Sequence, residues 1–200
     1  MGLSGDKDQK AEMILAAVRT VLAENGYMGT TINLVAKKAE VSRGLLHYYF
    51  KNKEEMLARV IKENMQASVL MITSVFEKNS SPQGFAKGIV DLLKEVMAHD
   101  PHFFNVFFEG FAVARQSDIV RNELVSLYGK FRLALEGCLE KAQKENIINP
   151  KLPVQSLAAI ITSLIDGLGL QLLTEPELCE NRLMWVSVEK TIVQLINDKR

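Results

Sequence analysis

The stretch TTINLVAKKAEVSRGLLHYYF, residues 30–50, decides the fold. It reads as two short helices around a tight turn. The first begins after Thr30 and Thr31 and runs to about Ala39, with Leu34 and Val35 turned inward. Glu40, Val41 and Ser42 form the connection, and Ser42 is a natural N-cap because its hydroxyl can accept from an N–H left unpaired at a helix start. The second helix is residues 43–49. Helix, turn and helix of these lengths make a DNA-reading unit whose second helix lies in the major groove. Such a pair also arises by chance, so the content of the second helix has to argue. RGLLHYYF, residues 43–50, gathers donors and aromatics on a helix too short to bury them all. Gly44 costs roughly 1 kcal/mol in a helix interior. Its missing side chain serves either the approach of a sugar–phosphate backbone or tight packing of one helix on another. Phe50 reads as core, and one of His47, Tyr48 and Tyr49 as packing against the first helix of the chain.

Outward from this stretch the 3.6-residue period dominates, and nothing alternates like a strand. A first helix covers residues 7–25, with Ile14, Leu15, Val18 and Leu22 as its apolar stripe and Gly26 as its terminator. After Phe50, Asn52 caps a fourth helix whose first turn carries Glu54 and Glu55, favourable near a helix N-terminus. That helix runs towards Phe76, and Ser80, Ser81 and Pro82 make the clearest break in the chain. Further helices are expected at residues 82–98, 102–113, 118–146, 154–173 and 179–198. The expected fold is all-α with about nine helices, divided into a helix-turn-helix DNA-binding domain at 1–53 and a helical effector-binding and dimerisation domain at 54–200.

Composition agrees with an ordinary globular chain: of 200 residues, 48% are hydrophobic and 24% charged. Net charge is zero, but its distribution is uneven. Residues 1–62 carry ten Lys and Arg against seven Asp and Glu, a net of +3, and the remainder carries −3. The positive end falls where phosphate contacts would be needed. Met1 to Gln9 is polar, unlike a signal peptide, and no run approaches the roughly 18 apolar residues of a membrane span. No membrane partner and a cytoplasmic location are therefore expected. Cys138 and Cys179 sit in apolar stretches and read as buried thiols in a reducing compartment.

A resemblance sharpens this picture. Ala16-Ala17, Gly26-Tyr27, Thr30-Thr31, Val35-Ala36, Ala39, Val41-Ser42, Gly44, Tyr48-Tyr49-Phe50, Lys53-Glu54 and Leu57 resemble, in order and spacing, the N-terminal domain of the tetracycline-repressor (TetR) family. The likeness covers about residues 10–60. It implies a three-helix DNA-binding module joined to a variable helical domain that dimerises and usually binds a small effector. Carried over by position, it implies that Thr31 and Ser42 contact phosphate at helix starts and that Arg43 and Gly44 face the groove. His47, Tyr48 and Tyr49 would touch base edges or backbone, and Lys53 would pin a phosphate. Two positions depart from the pattern. Glu40 stands where glycine is frequent, at some cost if the backbone there is left-handed, and its carboxylate would sharpen selectivity by repulsion. His47 stands where tyrosine is common.

Beyond residue 60 the resemblance thins. Ile165-Asp166-Gly167-Leu168 with Leu170 is similar to the penultimate helix of a subgroup that includes betaine-responsive regulators, and no ligand is carried over from it. The family implies that the last two helices pack against their mates in a homodimer. Leu157, Ile161, Leu164 and Leu168 on one helix and Trp185, Val188 and Ile192 on the other would form that interface; burial within one chain is the alternative. The phenylalanines at 103, 104, 107, 108 and 111 cover two adjacent helix faces. One face would be core and the other would line a pocket for a mostly apolar small-molecule effector. The expected effector residues are Phe104, Phe107, Phe108, Phe111, Arg115, Tyr128 and Gln171. A surface ion pair among Glu109, Arg115 and Asp118 is the plain alternative for the charged groups nearby.

No enzyme is expected. His99-x-x-His102 flanks Asp-Pro at a helix break and has no third ligand at characteristic spacing, so it reads as a capping turn. A phosphate-cradling glycine loop, a nucleophile elbow and a recognisable carboxylate pair are all missing from the pattern. Asp166, in an apolar helix, is read as a hydrogen-bonded core or pocket acid. The expected partners are double-stranded operator DNA, a second copy of the chain and a small apolar effector, with no cofactor and no metal. The competing readings are a regulator without an effector, and an enzyme or carrier built on a helical bundle.

Overall fold

The computed structural model describes residues 3–99 and 103–197. Nine α-helices lie among the described residues: α1 Leu3–Gly29, α2 Ile32–Lys38, α3 Arg43–Tyr49, α4 Lys53–Lys78, α5 Pro82–His99, α6 Phe103–Ala114, α7 Asp118–Lys144, α8 Val154–Thr174 and α9 Arg182–Ile196. A short 3₁₀ turn, Pro176–Glu180, precedes α9. Apart from one isolated bridge between Asn149 and Asn197, the described residues hold no extended pairing. The all-α expectation holds.

The chain forms two compact units, Met1–Asn64 with Asn105–Leu127, and Met65–Phe104 with Tyr128–Arg200. Compactness therefore groups the chain differently from the motif boundary after residue 53. The core of the first unit takes Ile14, Val18, Val21 and Leu22 from α1, Val35, Ala36 and Ala39 from α2, Leu46 and Phe50 from α3 and its end, and Met56, Leu57, Val60 and Ile61 from α4. Leu34, expected inside, is 40% exposed. Val35 and Ala36, with Ala39 at the C-cap, already fill the inner side of this seven-residue helix, which leaves Leu34 on its flank.

Gly26 breaks α1 as expected, with φ 65° and ψ 175°, but the chain makes one further turn to Gly29. Thr30 closes this turn: its backbone N–H and its hydroxyl donate to the Gly26 carbonyl at 3.1 and 2.7 Å. The turn between α2 and α3 has a Schellman pattern. The Val41 N–H reaches the Ala36 carbonyl at 3.0 Å and the Glu40 N–H reaches that of Lys37 at 3.3 Å. That pattern puts the residue after the helix cap in the left-handed region, and Glu40 sits there with φ 52°. The end of α7 repeats the device with Asn146 at φ 58°, a residue type that tolerates it better.

In the second unit α5 packs along α9, and α8 packs against both. Phe85, Ile89 and Val90 of α5, Leu135 and Leu139 of α7, Leu157, Ile161 and Leu172 of α8, and Trp185, Ile192 and Ile196 of α9 make the core. The last helix starts at Arg182 and not at 179, because Asn181 caps it, its side chain accepting from the Met184 N–H at 3.0 Å. Cys179 lies in the 3₁₀ turn, where its carbonyl accepts from the Trp185 indole N–H at 2.7 Å. Cys138 and Cys179 are half-buried, less enclosed than expected. By length and composition α8 could cross a membrane: an 18-residue window has mean hydropathy 1.7. Counting strict apolar runs missed this, because Gln155, Ser156, Ser163 and Asp166 interrupt the run without lowering its average much. Core helices pass the same test, and the buried Leu157, Ala158, Ile161 and Leu172 give α8 a core face.

Replacing Glu40 by glycine removes a side chain from a left-handed backbone and is expected to stabilise the chain by about 1 kcal/mol. A urea titration of Glu40→Gly measures this, and a loss of stability would mean that the carboxylate makes a favourable contact outweighing the strain.

Candidate nucleic-acid interface

Seven residues make fewer than two turns, so α3 has one face to bury and one to show. Leu46 and the adjoining Phe50 are buried, at 0% and 7% exposure. Arg43, Gly44, His47 and Tyr48 are exposed, Tyr48 by 72%. Arg43 and His47 are one turn apart, as are Gly44 and Tyr48, so the four share a face. Tyr49 is the aromatic that turns back. It is half-buried and lines a hollow of about 390 Å³ with Ala11, Glu12 and Leu15 of α1. Its ring meets that of Tyr48 edge-on at 5.4 Å.

Gly44 has two readings from sequence, and the surroundings separate them. A Cβ built there meets nothing nearer than the Ser42 hydroxyl at 3.9 Å. Packing inside the chain therefore does not require glycine, and the free space lies on the exposed face.

Both helix starts are capped by exposed hydroxyls. Thr31 Oγ1 accepts from the Leu34 N–H at 3.2 Å, and Ser42 Oγ accepts from the Leu45 N–H at 3.2 Å. A hydroxyl that accepts in this way still has its own proton to give, and the unpaired N–H groups of a helix start favour an anion. The site as built can donate to phosphates from Thr31 and Ser42 and present Arg43, His47 and Tyr48 to a groove.

Lys53 makes a contact within the chain that the sequence did not announce. Its ammonium donates to the Tyr27 carbonyl at 2.8 Å and lies 4.1 Å from the centre of the Tyr27 ring. The Tyr27 hydroxyl donates to Glu54 at 2.8 Å, and the Tyr27 N–H donates to Glu109 of α6 at 2.6 Å. Burial and then the Glu54 carboxylate push the Tyr27 hydroxyl pKa up. Burial raises the pKa of Glu109, partly offset by the Tyr27 N–H and the Lys53 charge. Glu109 is thus bound to Tyr27, while Asp118 pairs with Arg121, so the surface ion pair among Glu109, Arg115 and Asp118 does not form. Sequence reasoning missed the roles of Tyr27 and Glu109, which stand 82 positions apart.

The residues named for an effector are divided. Phe107, Phe108, Phe111 and Arg115 belong to the first unit, and Phe104, Tyr128 and Gln171 to the second. Phe107 is buried, Phe108 half-buried, and Phe111 and Arg115 exposed. In the second unit Phe104 is buried against Gly169, where an added Cβ would come within 2.5 Å of the ring. Gln171 is exposed. Tyr128 is hydrogen-bonded to Asp166; burial raises the pKa of both, and the Asp166 charge raises that of Tyr128 further. Asp166 thus has the hydrogen-bonded role read for it.

The dimer set also divides. Leu157, Ile161, Trp185 and Ile192 are buried within the single chain, by 98% or more, which gives them a core role there. Leu164, Leu168 and Val188 remain half-buried, and Leu170, Leu183 and Val186 are exposed on the same two helices. His99 Nδ1 lies 3.0 Å from the Glu95 carbonyl within its own helix, and His102 falls outside the described residues.

Residues 14–60 match the family model described as "Bacterial regulatory proteins, tetR family". The chain is 28% identical over 162 residues to the "Fatty acid metabolism regulator protein" of Bacillus subtilis, a match covering 80% of this chain and 81% of that protein. Among solved structures it is similar to a transcriptional regulator from Saccharomonospora viridis in complex with choline, with a TM-score of 0.79, 19% identity, and 96% and 100% of the two chains covered. It is also similar to the transcriptional regulator FadR of Bacillus subtilis in complex with stearoyl-CoA, with a TM-score of 0.72, 20% identity, and 94% and 99% covered. At these identities the two structures speak for the fold alone.

The two faces of α3 should separate in stability measurements. Phe50→Ala is expected to cost about 3 kcal/mol, and Tyr48→Ala to stay within about 0.5 kcal/mol of the parent. Gly44→Ala should stabilise by up to about 1 kcal/mol through helix propensity alone. Thermal unfolding followed by circular dichroism checks all three. A destabilised Gly44→Ala would return the glycine to a packing role.

Proposed function

Because this chain belongs to the tetR family of bacterial regulatory proteins, we propose that it is a dimeric repressor that leaves a palindromic operator when a small, mostly apolar effector binds. The observation that carries the DNA part is the exposed face of α3, where Arg43, Gly44, His47 and Tyr48 stand clear of a core that holds Leu46 and Phe50. Arg43 can pair with a guanine edge, and the bare Gly44 lets the backbone come close to a sugar–phosphate strand. His47 and Tyr48 reach the same groove, while Thr31 and Ser42 donate to flanking phosphates.

A dimer is supported by the apolar side chains that α8 and α9 leave uncovered, among them Leu164, Leu168, Leu170, Leu183 and Val186. Two copies would present recognition helices about 34–36 Å apart to successive major grooves. An effector with apolar character is supported by the fatty-acid regulator among the relatives and by the phenylalanines of α6. An effector of this kind would act by favouring one conformation of the dimer over another. The protein would work in the cytoplasm, where the DNA is.

The test is a titration of the chain onto a duplex that it selects from a random pool, followed by fluorescence anisotropy at several salt concentrations. Two chains per duplex are expected, with log affinity falling linearly with log salt. Arg43→Ala should weaken binding roughly tenfold. Gly44→Ala should weaken binding while leaving the fold at least as stable. Addition of a long-chain acyl-CoA, or of choline as the polar alternative, should release the duplex if the effector reading holds. Failure of the folded chain to select any duplex would overturn the DNA reading, and selection without release by either compound would leave a regulator with a different signal.

A further inference from the structure

We propose that Glu109 is a positioning residue for DNA reading: from α6 it holds, through Tyr27 and Lys53, the corner where α3 passes into α4. The inference rests on the regulator reading above and adds a residue that the resemblance does not supply.

Gly26 breaks the regular backbone of α1, with φ 65° and ψ 175°, immediately before Tyr27. An N–H beside such a break is ordinarily capped by a neighbouring residue. Here the cap comes from another helix. Glu109 Oε2 accepts that N–H at 2.6 Å, and its Oε1 lies so near that a Cβ on residue 26 would be 2.9 Å away. Glycine at 26 therefore meets two demands at once, a positive φ and the approach of the carboxylate.

The same tyrosine is held at two other points, both by the first turn of α4. Lys53 donates to its carbonyl and covers its ring, and Glu54 accepts from its hydroxyl. Lys53 follows Phe50, the cap of α3, by only three positions. Whatever fixes Lys53 against Tyr27 thus fixes where α3 ends relative to α1. Glu109 and Lys53 grip Tyr27 at its N–H and its carbonyl, and the Lys53 charge acts to keep Glu109 ionised. Glutamine at 109 would keep an acceptor for the Tyr27 N–H but remove the counter-charge to Lys53 and the stronger, charge-assisted form of the cap. An ammonium has three donors and Tyr27 takes one, so a lysine held in this place can still give another to a phosphate.

Leu46, Phe50, Leu57 and Ile61 are buried, whereas Glu109 and Lys53 are only half-buried. The effect of Glu109 should therefore fall on DNA affinity more than on unfolding.

The experiment is a double-mutant cycle on the full chain, with Glu109→Gln, Lys53→Met and the double variant. Affinity is measured by anisotropy for a duplex that the parent selects from a random pool, and each protein is melted in parallel. Each single change is expected to weaken binding roughly tenfold, and the double to be no more than about twofold weaker than the worse single. Melting temperatures should stay within a few degrees of the parent. Unchanged affinity in Glu109→Gln would overturn the proposal, as would additive losses in the double variant. An affinity loss that follows a lowered melting temperature, and is recovered on cooling, would reduce Glu109 to a structural residue. A parent chain that selects no duplex would remove the regulator reading itself, an outcome distinct from these.

Discussion

The constraint on which the molecule depends is the shortness of α2 and α3, seven residues each. Helices of this length are unstable alone. They persist here because each is capped by a hydroxyl at its start and pinned by a few buried side chains, Val35 and Ala36 in one and Leu46 in the other. Pinning has a geometric consequence. Fewer than two turns offer only two faces, so anchoring Leu46 and Phe50 exposes Arg43, Gly44, His47 and Tyr48 together. The exposed face, the one proposed to read DNA, is the complement of the face that holds the helix in place.

The joints around these helices rely on backbone conformations that the sequence supplies unequally. Gly26 takes its positive φ at little conformational cost, and its lack of a side chain admits the Glu109 carboxylate. Glu40 takes the same region of conformational space at a cost that glycine would avoid. A carboxylate in the turn of a DNA-reading motif, at the expense of some stability, is consistent with repulsion from phosphates that are wrongly placed. If α3 reads DNA as proposed, stability and selectivity pull in opposite directions at this turn and at Gly44, where alanine would favour the helix and crowd the groove.

Features set by local chemistry were legible in the sequence. Ser42 and Asn52 cap the helices expected of them, and Gly26 breaks the first helix. Their signals lie within three or four residues of the structures they make. Features set by distant chain were not. The apolar pattern of α8 and α9 says that a face is buried but not by whose atoms, so Leu157, Ile161, Trp185 and Ile192 read equally well as dimer contacts and as the core they are. Leu34 was misplaced because three smaller neighbours take the inside of its helix. Asn181 did carry a local capping signal, two residues after the start expected at 179. Nothing local to Glu109 announces a bond to Tyr27, and the position of Lys53 follows from that same tyrosine.

The most direct measurement of DNA reading by α3 is hydroxyl-radical footprinting of the protein itself, with and without its selected duplex, read by mass spectrometry. Strong protection of Tyr48 and His47 on DNA binding, with Leu46 and Phe50 silent in both states, is the expected pattern. Protection confined to other surfaces, with Tyr48 as reactive in the complex as in the free chain, would contradict it.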